Sequence, residues 1–214
     1  MPGLESLPGR FPIFPLPGAV LLPGGNLPLN IFEPRYLQMV RDAMQTDKVI
    51  GMIQPRGEAD GADRPPLYTT GCAGRISSFR ETEDGRFLIT LTGIARFDVA
   101  EELEVATPYR QIVARFHRWH QDLHPKPPAD ALRAELMVAL EGYFERQQIE
   151  ADWETIKGAP LGGLVTSLSM ICPFEPNEKQ ALLEAENLNA QARLLIALMR
   201  MALTTSVAET SVRH

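Results

Sequence analysis

The sequence predicts an α+β chain, in which a small antiparallel β-barrel carrying one helix is followed by an all-α helical bundle. Three observations lead there. The first 120 residues hold short stretches of period-two or continuously apolar sequence, separated by turn residues. Two of those stretches flank Thr82-Glu83-Asp84-Gly85, and Asp-Gly is a strong hairpin signal. The composition then changes at residues 121–129 (QDLHPKPPA), beyond which apolar residues recur at helical spacing. The expected division is therefore a barrel over 1–120, a linker over 121–129, a bundle over 130–206 and a disordered tail over 207–214.

Residues 26–41, NLPLNIFEPRYLQMVR, organise the N-terminal half. Alternation places Leu27, Leu29 and Ile31 on one face of a strand, with Asn30 and Phe32 on the other. Pro34 supplies the φ suited to a first helical position, where its missing N–H costs nothing. Tyr36, Leu37, Val40, Ala43 and Met44 then recur at helical spacing, so the spacing predicts a helix over about 34–46.

The remaining elements follow in order. Pro12, Pro15, Pro17, Pro23 and Pro28 crowd residues 10–33, which predicts short extended pieces near an edge or joined by turns, because proline cannot donate to a ladder. Val49 to Ile53 reads as a short apolar strand, and 55–66 as a polar, mobile loop. Strands are expected over 74–81, 86–93, 94–99 and 109–119. In the second half, Leu132, Leu136, Leu140, Tyr143 and Phe144 form one stripe, and Leu161, Leu164, Val165 and Leu168 another, ended by Pro173. Residues 178–186 carry Leu182 and Leu183. Residues 188–203 are apolar nearly all round, which predicts the buried helix of the bundle. Each Leu or Met buried there is worth about 1.5–3 kcal/mol, so the bundle is a structural unit.

Composition bounds the function. A chain of 214 residues with 44% hydrophobic and 22% charged residues is globular in its proportions. Its net charge of −6 argues against non-specific nucleic-acid binding. Cys72 and Cys172 lack CxxC spacing and read as reduced thiols of a cytoplasmic protein. No segment has the ~18 uninterrupted apolar residues of a membrane span, and residues around Glu5 and Arg10 do not resemble a signal peptide.

The sequence carries few motifs of known chemistry. No lysine follows a glycine as a phosphate-binding loop requires, and GxSxG, HExxH and GxGxxG are absent. His117, His120 and His124 lie close enough to gather a transition metal, but a proline-containing connector gives them no regular geometry, so no metal is expected. Ser167 and Ser169 have no basic partner in sequence. Glu33 with Arg35 could clamp a substrate, but Glu33 fits better as a helix cap accepting backbone N–H groups.

The runs Phe11-Pro12-Ile13-Phe14-Pro15-Leu16, Val20-Leu21-Leu22-Pro23-Gly24 and Leu27 to Tyr36 resemble the signature of the Lon protease N-terminal, substrate-binding domain. Asp84-Gly85-Arg86, Gly93-Ile94-Ala95-Arg96-Phe97 and Glu178-Lys179-Gln180-Ala181-Leu182-Leu183-Glu184 resemble its later landmarks in order. The resemblance covers about residues 10–205 and extends to the amino-terminal part of cereblon. It implies a PUA-like barrel followed by a helical bundle; the absent phosphate-binding loop and the length of 214 residues lead us to expect a stand-alone member without the ATPase and Ser–Lys peptidase modules of Lon. Asn30 stands where stand-alone members often have histidine, and the family offers no catalytic residues to carry over.

These readings together predict a non-enzymatic module that needs no cofactor and recognises exposed apolar segments of protein or peptide clients, alone or beside a separate protease. The contact residues expected around the strand–helix corner are Phe14, Leu29, Asn30, Phe32, Arg35 and Tyr36, although the apolar ones also fit core positions. The alternative is a small-molecule or RNA binder using the barrel surface, with Arg75, Arg80, Arg86, Arg96, Arg110 and Arg115 on predicted strands as its basic face.

Overall fold

The computed structural model describes residues 7–57 and 64–210, with side chains described up to residue 204. It divides into two compact units: residues 1–124 with 174–183, and residues 125–173 with 184–214.

Six strands build the first unit: β1 (Arg10–Pro15), β2 (Asn26–Ile31), β3 (Val49–Ile53), β4 (Thr70–Glu81), β5 (Phe87–Glu102) and β6 (Gln111–Arg115). The sheet runs β2-β5-β4-β3-β1-β6 and closes on itself through β5–β6 pairing. Closure depends on the length of β5, which absorbs the two strands expected at 86–93 and 94–99. Its Phe87–Thr92 half pairs with β2, and its Asp98–Glu102 end pairs with β6. Five strands therefore form a closed barrel, and β2 extends it as an edge strand.

The barrel is not wholly antiparallel as expected, because β1 and β3 run parallel. A parallel pair needs a long crossover, here supplied by β2 and the helix α1 (Pro34–Met44). The prolines of β1 also sit away from an edge, in a strand with neighbours on both sides. Pairing is staggered to allow this: Arg10 to Pro12 face β6, whereas Ile13 to Pro15 face β3. Each proline thus meets a single partner strand, and its missing N–H leaves no gap on the other side.

Phe11, Ile13, Val49, Ile53, Ala73, Phe97, Ile112 and Ala114 fill the barrel interior, with Phe11 edge-on to Phe97 at 5.2 Å between ring centroids. The hairpin turn forms as its sequence predicts: Gly85 adopts φ +79°, and Thr82 N–H donates to the Arg86 carbonyl at 2.9 Å.

Helix α1 buries Tyr36, Met39, Val40 and Ala43. Its tie to the barrel is polar as well as apolar, since the Tyr109 hydroxyl donates to Asp42 Oδ2 at 2.7 Å. Burial and the adjacent Asp42 carboxylate push the Tyr109 phenol from 10.0 up to about 12. A raised folded-state value means that this contribution is complete below about pH 10 and is lost as pH climbs toward about 12. Tyr109→Phe is expected to flatten the fall of Tm across that window, and thermal unfolding measured at stepped alkaline pH checks it.

Residues 117–123, expected to finish a strand and start a linker, instead form a 3-10 segment (His117–Leu123) with Trp119 buried. The helix α5 (Pro176–Glu184) also departs from expectation, because residues 174–183 group with the barrel rather than with the bundle. The reason is a buried amide network. Gln54 Nε2 donates to the Pro176 carbonyl at 2.9 Å and to Gln180 Oε1 at 3.1 Å, and Gln180 Nε2 donates to the Thr70 carbonyl at 3.1 Å. Buried amides left without partners would be costly, so these partners hold α5 where it lies.

The second unit contains α2 (Ala131–Gln147), α3 (Trp153–Gly158), α4 (Leu161–Ile171) and α6 (Leu188–Thr210). The stripes expected from spacing are buried on α2 and α4, and both helices pack on α6. α6 is one-faced rather than buried all round: Leu195, Ile196, Leu198 and Met199 are inside, whereas Met201 is 58% exposed. α3, which no periodicity announced, starts at an Asp152 cap that accepts the Glu154 and Thr155 N–H groups at 3.1 Å. α6 continues to Thr210 with no proline or glycine to stop it, so residues 207–210 are helical; residues 211–214 lie outside the described residues. Part of the loop expected to be mobile, 58–63, also lies outside them.

Candidate functional site

The strand–helix corner folds as the local sequence dictates, but its six candidate residues do not share one surface. Phe14 and Tyr36 are buried core residues, 8% and 7% exposed, with ring centroids 4.3 Å apart. Arg35 lies over the Tyr36 ring at 4.6 Å. Burial raises the Tyr36 phenol against the lowering influence of Arg35.

Glu33 occupies the N-cap position, but its side chain accepts no backbone N–H. The carboxylate instead takes Arg35 Nε at 2.9 Å and its Nη2 at 2.8 Å. The guanidinium two residues on outcompetes the helix amides, and the Glu33 backbone carbonyl alone starts the helix by accepting from Tyr36 and Leu37. Both side chains of the pair are 44% exposed, so it contributes at most about 1 kcal/mol.

Leu29 is half-buried on the inner face of β2, in register with Ile89 of β5 and, through it, with Phe79 of β4. Asn30 is exposed on the opposite face, and Phe32 just beyond it is 62% exposed. Phe79, which sequence reasoning passed over, is 40% exposed and rests on Phe87 at 5.0 Å between centroids. Its alternation is hidden by a register shift between Ile76 and Ser78. The available signal was a lone aromatic in the polar run Ser77-Ser78-Phe79-Arg80-Glu81. Among the described residues of the barrel unit, Phe32 and Phe79 are the exposed large hydrophobic side chains, and both belong to the β2-β5-β4 ribbon or its end.

Four of the six arginines expected on a basic face are engaged within the barrel unit. Arg86 pairs with Asp84 at 2.8 Å, and Arg110 grips both oxygens of Glu102 at 2.8 and 2.6 Å. Arg96 is buried against Asp122, while Arg75 donates to the Asp47 carbonyl at 3.0 Å. An open depression beside Pro65 and Leu103 holds Arg64, Arg110 and Glu102. Both arginines already share the Glu102 carboxylate there, and the Arg110 hydrogen bonds hold it below the usual carboxylate range.

Ser169 is buried and its hydroxyl has no partner among the described residues, so no base activates it. His120 Nδ1 lies 3.1 Å from the His117 carbonyl. Among the described residues, no group of three or more His, Cys, Asp or Glu is placed to hold a metal. No helix there is long and apolar enough to cross a membrane.

A closed barrel with one appended edge strand, together with a helical unit, defines an α+β protein. The model of the ATP-dependent protease La (LON) substrate-binding domain matches residues 10–201, and the chain belongs to that family. It is 30% identical over 212 residues to Lon protease 2 of Myxococcus xanthus, covering 92% of this chain and 24% of that protein. It is 27% identical over 206 residues to Lon protease of Anaeromyxobacter dehalogenans, covering 91% of this chain and 23% of that one. The chain thus spans about a quarter of the length of these relatives. Among solved structures it is similar to the Lon N-terminal domain protein from Xanthomonas campestris, with a TM-score of 0.64 at 22% identity over 88% of this chain and 97% of that one. It also resembles the N-terminal domain of Mycobacterium avium complex Lon protease, with a TM-score of 0.63 at 17% identity over 89% of this chain and 98% of that one.

Proposed function

We propose that this chain is a cytoplasmic, non-enzymatic binding module that holds exposed apolar segments of protein clients, for delivery to a protease. The reading is carried by exposed Phe79, in one cross-strand row with half-buried Leu29, and by exposed Phe32 just past the end of β2. Family membership supports a substrate-binding role. Two free, buried cysteines suit a reducing compartment. The alternative of an RNA surface draws no support from arginines that face carboxylates.

A labelled, permanently unfolded client, reduced and carboxymethylated α-lactalbumin, is expected to bind the intact chain in fluorescence anisotropy. Phe32→Ser combined with Phe79→Ser is expected to weaken that binding by roughly fivefold or more, from the apolar area lost. The far-UV circular dichroism should stay unchanged. Absence of binding at about 50 μM chain, a threshold near −6 kcal/mol, would overturn the proposal.

A further inference from the structure

We propose that the free edge of β2 takes the client segment as an added β-strand. Main-chain hydrogen bonds would form at Asn26, Pro28 and Asn30, and alternate apolar side chains of the segment would lie against Leu27 and Leu29. This rests on the client-binding reading above and names its mode.

Among the described residues, β2 has β5 as its sole strand neighbour. Gly93 N–H donates to the Gly25 carbonyl at 2.8 Å, which sets the phase of the ladder. Antiparallel alternation then directs the backbone groups of Leu27, Leu29 and Ile31 toward Leu91, Ile89 and Phe87. The backbone groups of Asn26, Pro28 and Asn30 turn the other way, toward the side on which no strand pairs with β2 among the described residues. The edge therefore offers the N–H of Asn26 and Asn30 and the carbonyls of all three. Proline falls at one of these outward positions, where a strand edge tolerates it.

The side chains give a second, independent indication. Leu91 and Ile89 are 0% and 3% exposed, yet Leu27 and Leu29, in the same cross-strand rows, are only half-buried. The apolar face stops one strand short. Residues of an added antiparallel strand opposite Leu27 and Leu29 would occupy the closely spaced, non-hydrogen-bonded pairs, where side chains pack best. From Asn26 to Phe32 no side chain is charged. The matching occupant is an extended, uncharged polypeptide with apolar residues at every second position; a helix cannot present the backbone groups this edge requires.

Pro28 makes the idea testable in both directions. Its missing N–H leaves one client carbonyl unpaired, so Pro28→Val adds a donor while keeping a residue that strands favour. On the intact chain, with a fluorescein-labelled peptide of alternating Leu and Thr as probe, Pro28→Val is expected to tighten binding about threefold to tenfold. Asn30→Pro, which removes a donor at an equivalent edge position, is expected to weaken it by a similar factor. Equal binding by wild type and both variants would overturn edge addition and leave client binding standing. Failure of the wild type to bind either this peptide or carboxymethylated α-lactalbumin would overturn both. Should Asn30→Pro fail to fold, an unchanged affinity of Pro28→Val alone suffices to reject the edge.

Discussion

Asp122→Ala is expected to destabilise the barrel unit by about 3–5 kcal/mol, the cost of orphaning a buried charge. Arg96 and Asp122 have side chains only 7% and 5% exposed. Asp122 Oδ2 accepts both the backbone N–H and Nε of Arg96 at 2.9 Å, and Oδ1 accepts Nη2 at 2.6 Å. Arg96 Nη1 donates to the Leu183 carbonyl at 3.0 Å, and its guanidinium lies 3.9 Å over the Trp119 ring. One cation thus ties β5, the 3-10 segment and the end of α5 together. Without the carboxylate the buried guanidinium loses its counter-charge. Arg96→Met combined with Asp122→Leu should recover much of the loss, because an apolar pair carries no desolvation penalty. Urea unfolding followed by fluorescence measures both. Of the two tryptophans in the chain, Trp153 lies in the helical unit, so a Trp153→Phe background isolates the signal of Trp119. A loss below about 1 kcal/mol for Asp122→Ala, the range of an exposed pair, would refute the account of this network.

The second large effect is steric. Gly93→Ala is expected to cost about 3 kcal/mol or more, at the upper end of overpacking. A Cβ on Gly93 would lie 2.0 Å from the Leu22 carbonyl oxygen and 2.8 Å from its carbon. Both are backbone atoms, so no rotamer change relieves the clash. Any shift also breaks the Gly24 N–H bond to the Gly93 carbonyl at 2.9 Å, and the Gly93–Gly25 bond that sets the β2 register. Gly163→Ala is the matched control: it lies in α4 with nothing within 4 Å of its would-be Cβ. That change should stabilise by about 0.5–1 kcal/mol through helix propensity. Comparable effects from the two substitutions would show that close backbone approach is not what Gly93 serves.

Elements with a local cause were readable from the chain. Asp84-Gly85 announced its hairpin, Pro34 the start of α1, and the leucine spacing of α2 and α4 their buried faces. What escaped depended on contacts distant in sequence. Asp122 looked like linker, because its role exists only against Arg96. α5 looked like bundle, because the glutamines that hold it pair with residues more than a hundred positions away. Glu33 fitted a cap by position, yet a neighbouring guanidinium competed better than the helix amides. At the candidate site, burial of Phe14 and Tyr36 separated them from Phe32, a distinction that alternation alone cannot make. A register shift concealed Phe79 altogether.

The central claim is that clients engage the ribbon edge of the barrel unit, and hydrogen exchange of the intact chain with and without carboxymethylated α-lactalbumin tests it directly. Slowed exchange at the amides of residues 26–32, Asn30 foremost, is the predicted result. Protection confined to the helices of residues 131–210, or none at all at saturating client, would contradict it.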